Sequence, residues 1–435
     1  MEKEDIKIEK ICNFCGKKKP MLLNGQAGNI CFQCLEECNV FMGNQFSKDF
    51  DIEDFDIENF DIENFGIENN ENKDELITPQ EMKAHLDKYV IGQDNFKEKL
   101  VTAVYNHQKA LRLKDKFPGV TIDKSNMLII GPTGSGKTYT IKSLAKALDI
   151  PLAICDANNL TISGYVGDDV ETILTKLYKA ANNDLKKAER GIIFIDEIDK
   201  LGRKGENPGL TKDPSGEGVQ QALLKIVEGC KTSFPLGVNR KTPTLNGNVE
   251  ICTDDILFII GGSFEGIEKI INKRNSVKSV IGFNSTPVNK KETNFNSLIK
   301  NIKTEDIKSF GLIPEFIGRF PIISYLEELD KDALIKILTE PKNCLTKQYK
   351  ALLAYNKVDL AFSKEAIEAI AIKAIENKVG ARGLRGILDE TLIDIMFYSP
   401  LLSGEKIVIQ KEEVENPILI KEKYIVNFIK EGSFI

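Results

Sequence analysis

The octapeptide GPTGSGKT, residues 131–138, follows the apolar run MLII and opens the stretch TYTIKSLAKAL. Few features constrain a fold so tightly. A buried strand has to end where a loop of glycines begins, and a helix has to start where that loop ends. Glycines let the backbone N–H groups turn inward, and the helix N-terminus adds positive potential, so the spacing G-x-x-x-x-G-K-[ST] makes a cradle for phosphate. In that cradle Lys137 is expected to reach the β- and γ-phosphates, and the Thr138 hydroxyl to face Mg²⁺. Gly131, Pro132, Thr133, Gly134, Ser135, Gly136, Lys137, Thr138 and Tyr139 are the expected nucleotide contacts.

The surrounding pattern repeats strand and helix. PLAICDA, GIIFID and DILFIIGG read as continuous apolar strands, while DVETILTKLYKAANNDLKKA and GVQQALLKIVEG read as helices. The pair Asp168–Asp169 reads as the start of the first of these helices. Continuous apolar strands alternating with helices predict an α/β fold with a parallel sheet covered on both faces. GIIFIDEIDK then delivers Asp196 and Glu197 at the carboxyl end of a buried strand, where such sheets bind ligands. Asp196 is the expected Mg²⁺ ligand, and Glu197 is placed to polarise an attacking water. ATP hydrolysis follows from these two segments together.

Upstream, Thr78, Pro79 and Glu81 form a helix N-terminus, and Phe96, Leu100, Val104 and Leu111 recur at helical spacing. Residues 284–308, rich in Asn and Lys, look like a loop. From about residue 325 the pattern becomes mainly helical, with the tail KYIVNFI reading as a strand. The expected division is 1–48, a zinc-binding block; 49–75, an acidic linker; 76–324, a large ATPase domain; and 325–435, a small C-terminal domain.

The zinc block rests on Cys12, Cys15, Cys31 and Cys34, spaced C-x₂-C-x₁₅-C-x₂-C. Two such pairs hold one tetrahedral Zn²⁺, and four thiolates leave no open position, so the ion would be structural. Redox pairs are the other reading of the same spacing. The linker carries the repeat DIEDF, DIENF, DIENF, GIENN. A period of five suits neither helix nor strand; a disordered acidic spacer and an acidic-hydrophobic interaction motif both fit it. Residues 49–75 carry −11 of a total charge of −6, so the rest of the chain is near neutral at +5. That gives no signature of nucleic-acid binding. No apolar run reaches the ~20 residues that span a membrane, and the charged N-terminus lacks a signal-like apolar region. A reducing, cytoplasmic location is expected, with no membrane partner.

With these motifs placed, the chain resembles the ClpX family of AAA+ unfoldases, which feed the ClpP peptidase. The resemblance is carried by YVIGQ (89–93), VYNHQK (104–109), SGEGVQQALLKIVEG (215–229), LIPEFIGRFP (312–321) and GARGLR (380–385). It implies an AAA+ P-loop ATPase with a small helical C-terminal domain, assembled as a homohexamer. It places Val90 and Ile91 beside the adenine. It gives Arg319 the place of an arginine finger, supplied to the neighbouring subunit, and Arg382 that of the sensor-2 arginine. From local sequence alone both arginines read first as structural salt bridges.

The resemblance further implies that Gly164, Tyr165, Val166 and Gly167 line a central pore and grip protein substrates. Locally, Tyr165 could instead pack into its own domain. Ile281, Gly282 and Phe283 match the tripeptide that docks on a ClpP-type peptidase, although three letters by themselves read better as a buried turn. The zinc block would dimerise and receive adaptor proteins. Arg240-Lys241-Thr242 stands where the family has Arg-Lys-His, which leaves the choice of degron open, and Pro214 is placed to stiffen a second pore loop. The same motor acting alone as a chaperone, a non-hydrolysing scaffold and a nucleic-acid motor are the competing functions. The intact charged residues argue against the scaffold, and the near-neutral charge argues against the nucleic-acid motor.

Overall fold

The computed structural model describes residues 22–25, 28–31 and 76–426, apart from 115, 118–119, 121, 162–167, 203–215, 236–247 and 280–294. The chain divides into two units, Met1–Gly66 and Ile67–Ile435. In the first, β1 (Leu22–Gly25) pairs antiparallel with β2 (Gly28–Cys31). Cys31 ends β2, while Cys12, Cys15 and Cys34 lie outside the described residues.

The second unit opens on α1 (Pro79–Asp87), with the expected cap. The Thr78 hydroxyl accepts from the Glu81 N–H, and the Glu81 carboxylate accepts from the Thr78 N–H at 2.8 Å. The Thr78 hydroxyl also donates to that carboxylate at 2.7 Å, and this bond, with the one from the Thr78 N–H, holds the Glu81 carboxyl below its ordinary range. In α2 (Asp94–Leu113), Phe96, Leu100 and Val104 are buried and Leu111 half-buried.

The central sheet contains β3 (Met127–Ile130), β4 (Leu152–Asp156), β5 (Ile192–Asp196), β6 (Leu257–Gly262) and β7 (Ile322–Tyr325). Its order is β7-β3-β6-β5-β4, with every pair parallel. The two-residue period sorts the side chains between two cores. Met127, Ile129, Phe194 and Ile259 meet α1 and α2 on one face; Leu128, Ile130, Ile195 and Ile260 meet the other layer. Register aligns Asp156 with Asp196, so two carboxylates end neighbouring strands on one edge.

A third core runs from Leu334 to Ile425. It holds α3 (Lys331–Thr339), α4 (Leu345–Ala354), α5 (Lys364–Glu376) and α6 (Gly380–Tyr398). Two strands, β8 (Asp359–Phe362) and β9 (Lys406–Ile409), pair parallel beside them. Among the described residues no helix is long and apolar enough to cross a membrane.

Four sequence expectations are corrected. The long helix from Asp169 is two pieces, Thr172–Ala180 and Leu185–Ala188. Asn182 and Asn183 between them adopt φ of +54° and +63°, a left-handed conformation that asparagine tolerates better than most residues. Asp168–Asp169 is no helix start, because it pairs with Leu160–Thr161 as a short parallel bridge. Part of 284–308 is helical, at Phe295–Ile299 and Thr304–Phe310, since Leu298, Ile299 and Ile307 are buried. The described part of KYIVNFI is helical rather than a strand. A strand would send Tyr424 and Ile425 to opposite faces. Here Ile420 and Ile425 are both buried, and the Tyr424 hydroxyl donates to the Val408 carbonyl at 3.0 Å.

Candidate nucleotide site

The carboxyl edge of the sheet, the turn at 89–91 and the helices α3, α4 and α6 enclose a cavity of about 760 Å³. Roughly 300–1,000 Å³ is the range in which small ligands and cofactors are held. Its lining contains Val90, Ile91, Thr133, Gly134, Ser135, Gly136, Lys137, Thr138, Tyr139, Asp196, Glu197 and Arg382, all predicted contacts. Gly131 and Pro132 stand behind them: the Lys137 ammonium donates to the Gly131 carbonyl at 2.6 Å and to the Pro132 carbonyl at 3.1 Å. Burial pushes the Lys137 ammonium below its ordinary value, and Asp196, Asp199 and Glu197 oppose that shift.

The loop keeps its shape through Gly134 (φ +79°) and Gly136 (φ +101°), in the region that disfavours side chains. Gly134 is also crowded: a Cβ there would meet the Val379 carbonyl at 2.7 Å. Its own carbonyl accepts from the Ala381 N–H at 3.2 Å, which ties the loop to the start of α6. Gly134→Ala is therefore expected to weaken nucleotide binding about tenfold or more, because the left-handed residue alone costs roughly 1–2 kcal/mol before the clash. Titration with a fluorescent ATP analogue checks this; unchanged affinity refutes it.

Around the strand end, the Thr138 hydroxyl donates to Asp196 Oδ2 at 2.8 Å. Asp196 Oδ1 accepts from the Glu197 N–H at 2.9 Å. Glu197 has φ +58°, rare for a non-glycine residue and of the kind that persists where surrounding structure holds it. Its carboxylate accepts from Asn158 Nδ2, in the turn that follows β4. Asp199 is buried, and its two oxygens take the Ser263 N–H and hydroxyl, each at 3.1 Å. Lys97, also buried, donates to the Val90 carbonyl and to Asp87, which fixes the turn at 89–91.

The residues present fit a magnesium nucleotide. Backbone N–H groups and Lys137 suit phosphate, and a hydroxyl beside a carboxylate suits a hard cation. Val90, Ile91, Leu329, Ile337 and Leu345 add apolar lining. Thr138 and Asp196 would be the residues to hold Mg²⁺, which would supply charge neutralisation to the phosphates.

Arg319 does not line the cavity. Its side chain is 54% exposed, and the guanidinium donates to the Glu228 carboxylate at 2.5 Å. Asn158, Asp199, Ser263 and Arg385 were not among the predicted site residues. Asp199 could have been noticed in DEIDK, and Arg385 in GARGLR, where it lines the cavity beside Arg382. Asn158 has no local signal. Gly164–Gly167, Ile281–Phe283, Arg240–Thr242 and Pro214 lie outside the described residues.

Comparison with known proteins agrees with this geometry. The AAA domain (Cdc48 subfamily) matches residues 122–323, and the C-terminal, D2-small domain of ClpB protein matches residues 329–414. A Borrelia duttonii protein named ATP-dependent Clp protease ATP-binding subunit ClpX is 44% identical over 424 residues, covering 95% of this chain and 94% of its own. Proteins of the same name from Porphyromonas gingivalis and Treponema denticola are 43% and 44% identical, covering 94% and 93% of this chain and 96% and 94% of their own. With its P-loop, its paired strand-end acids and an AAA+ fold over a helical C-terminal region, the chain is an ATPase and belongs to the ClpX family.

Proposed function

We propose that this ATPase is a protein unfoldase, working as a homohexamer that threads substrate polypeptides through a central pore into a ClpP-type peptidase. The observation that carries the reading is the division of the five predicted catalytic side chains. Lys137, Asp196, Glu197 and Arg382 line one cavity, whereas Arg319 is held by Glu228 on an exposed surface away from it. A guanidinium so placed is of use to a nucleotide on another copy, and that supports a ring of subunits with shared sites. The relatives' name, a Clp protease ATP-binding subunit, supports the peptidase partner.

In this reading Val90 and Ile91 flank the base and Lys137 grips the phosphates. Glu197, oriented by Asn158, polarises the attacking water, and Arg382 contacts the nucleotide of its own subunit. Hydrolysis drives the pore loop Gly164–Gly167, whose Tyr165 offers large, non-directional contact to varied polypeptides. Target domains are stable by about 5–15 kcal/mol, so a firm grip and repeated cycles are required. Ile281, Gly282 and Phe283 dock on the peptidase. Cys12, Cys15, Cys31 and Cys34 hold a structural zinc in the 1–48 block, which receives adaptors across the 49–75 linker. The 76–324 and 325–435 parts form the motor, in the cytoplasm.

The test is degradation of a stably folded, tagged reporter by the full chain, ATP and a ClpP-type peptidase. Phe283→Ala is expected to abolish degradation with ATPase activity intact, and Tyr165→Ala to slow unfolding steeply. Degradation unaffected by Phe283→Ala refutes the docking role. Unfolding without any peptidase-dependent degradation leaves the solitary chaperone.

A further inference from the structure

Between the sheet and the helical region the chain has very little freedom. Leu326 belongs to the sheet: its N–H donates to the Ile130 carbonyl at 2.8 Å, and its side chain is fully buried against Gly131. Asp330 belongs to the helical region, where its carboxylate accepts from the Ala333 N–H and caps α3. Leu329 packs against that region's core. Along the chain only Glu327 and Glu328 join the two bodies, which also meet through the Ala381–Gly134 and Lys342–Lys88 backbone bonds.

Both residues are held by side-chain carboxamides in the same way. Gln93 Nε2 donates to the Glu327 carbonyl at 3.0 Å, and Gln93 Oε1 accepts from the Glu327 N–H at 2.9 Å. Asn296 Nδ2 donates to the Glu328 carbonyl at 3.3 Å, and Asn296 Oδ1 accepts from the Glu328 N–H at 2.7 Å. A carboxamide carries a donor and an acceptor side by side, so it can engage a residue's own N–H and C=O together. Four consecutive backbone groups that would otherwise be free to rotate in water are fixed.

Gln93 itself has φ +61°, directly after Gly92 at φ +64°. A left-handed glutamine costs energy and persists where other contacts hold it. It closes the turn that begins at Val90 and Ile91 on the cavity wall, and it begins α2. The cavity wall and the bridge are thus one residue apart in mechanical terms.

We propose that Gln93 and Asn296 are positioning residues for ATP turnover: their carboxamides hold the Glu327–Glu328 bridge, and so fix the angle at which the helical region presents Arg382 to the nucleotide. The proposal rests on the nucleotide-contact role given to Arg382 above. The Gln93 bonds are partly buried and the Asn296 bonds exposed, so Gln93 carries the larger share, because water competes less for its bonds.

The test uses the full chain with Gln93→Met and Asn296→Leu, which keep approximate shape and remove both bonds. Amide hydrogen exchange at Glu327, for Gln93→Met, and at Glu328, for Asn296→Leu, is expected to quicken. The KM for ATP is expected to rise roughly 2- to 10-fold for Gln93→Met and less for Asn296→Leu, the range that fits the net worth of such bonds. The melting temperature should stay near that of the parent. Because the clamp acts through Arg382, the losses from Gln93→Met and Arg382→Ala should not add. Unaltered exchange, an unaltered KM, or fully additive losses overturns the proposal. A parent protein that fails to hydrolyse ATP would instead overturn the proposed function, so the two failures are distinguishable.

Discussion

Glu197→Gln retains ATP binding and loses about 10²–10⁴-fold in turnover, the range supplied by a positioned general base. The substitution changes little else. Glutamine has the same length, its side-chain oxygen can still accept from Asn158 Nδ2, and its backbone keeps the N–H that donates to Asp196. Neither Lys137 nor the glycine loop is altered, so the phosphate cradle is intact. What disappears is the negative charge that, in the proposed role, draws a proton from water. Equilibrium titration with ATP, beside a phosphate-release assay, separates binding from turnover. Hydrolysis at the parent rate would remove Glu197 from the reaction.

Arg319→Ala lowers turnover by about 10³–10⁵-fold, the contribution of an arginine finger, with the fold unharmed. An exposed ion pair such as Arg319–Glu228 is worth roughly 0–1 kcal/mol, so its loss leaves the melting temperature nearly unchanged. The large kinetic effect and the small thermal one together distinguish a catalytic arginine from a structural one. Arg319→Lys is expected to recover little, since an ammonium lacks the planar fork that engages two oxygens at once. Mixing Arg319→Ala with Glu197→Gln subunits provides the decisive measurement. Each variant is expected to be inactive alone, but a mixed ring of the proposed kind would contain seams where an intact Glu197 meets an intact Arg319. Recovered hydrolysis assigns the arginine to a neighbour's nucleotide. No recovery, in assemblies shown to be mixed, places it elsewhere.

Most of the sheet was readable because its strands are unbroken apolar runs ending in glycine or acid, a pattern that local physics dictates. The phosphate loop was readable for the same reason, since its residues are consecutive. What escaped depends on register or distance. Asn158 meets Glu197 only because β4 lies beside β5 with Asp156 against Asp196, and strand order is not written in any local window. The strands β8 and β9 are four residues each and pair across two helices, so neither stood out from the helical pattern. The break at Asn182–Asn183 was hidden by apolar spacing that continued on both sides. Gln93 and Glu327 are 234 positions apart, and nothing in YVIGQ announces the partner. Residue chemistry was legible at the nucleotide, whereas the contacts that set its geometry were tertiary.

The hydrogen bond from Ala381 to Gly134 has a consequence for biosynthesis. A ribosome delivers the floor of the chamber well before its roof. A nascent or prematurely terminated chain that stops before α6 owns a phosphate loop with nothing above it. Half-made copies are therefore unable to enclose fuel, and the machine stays idle until α6 has been made.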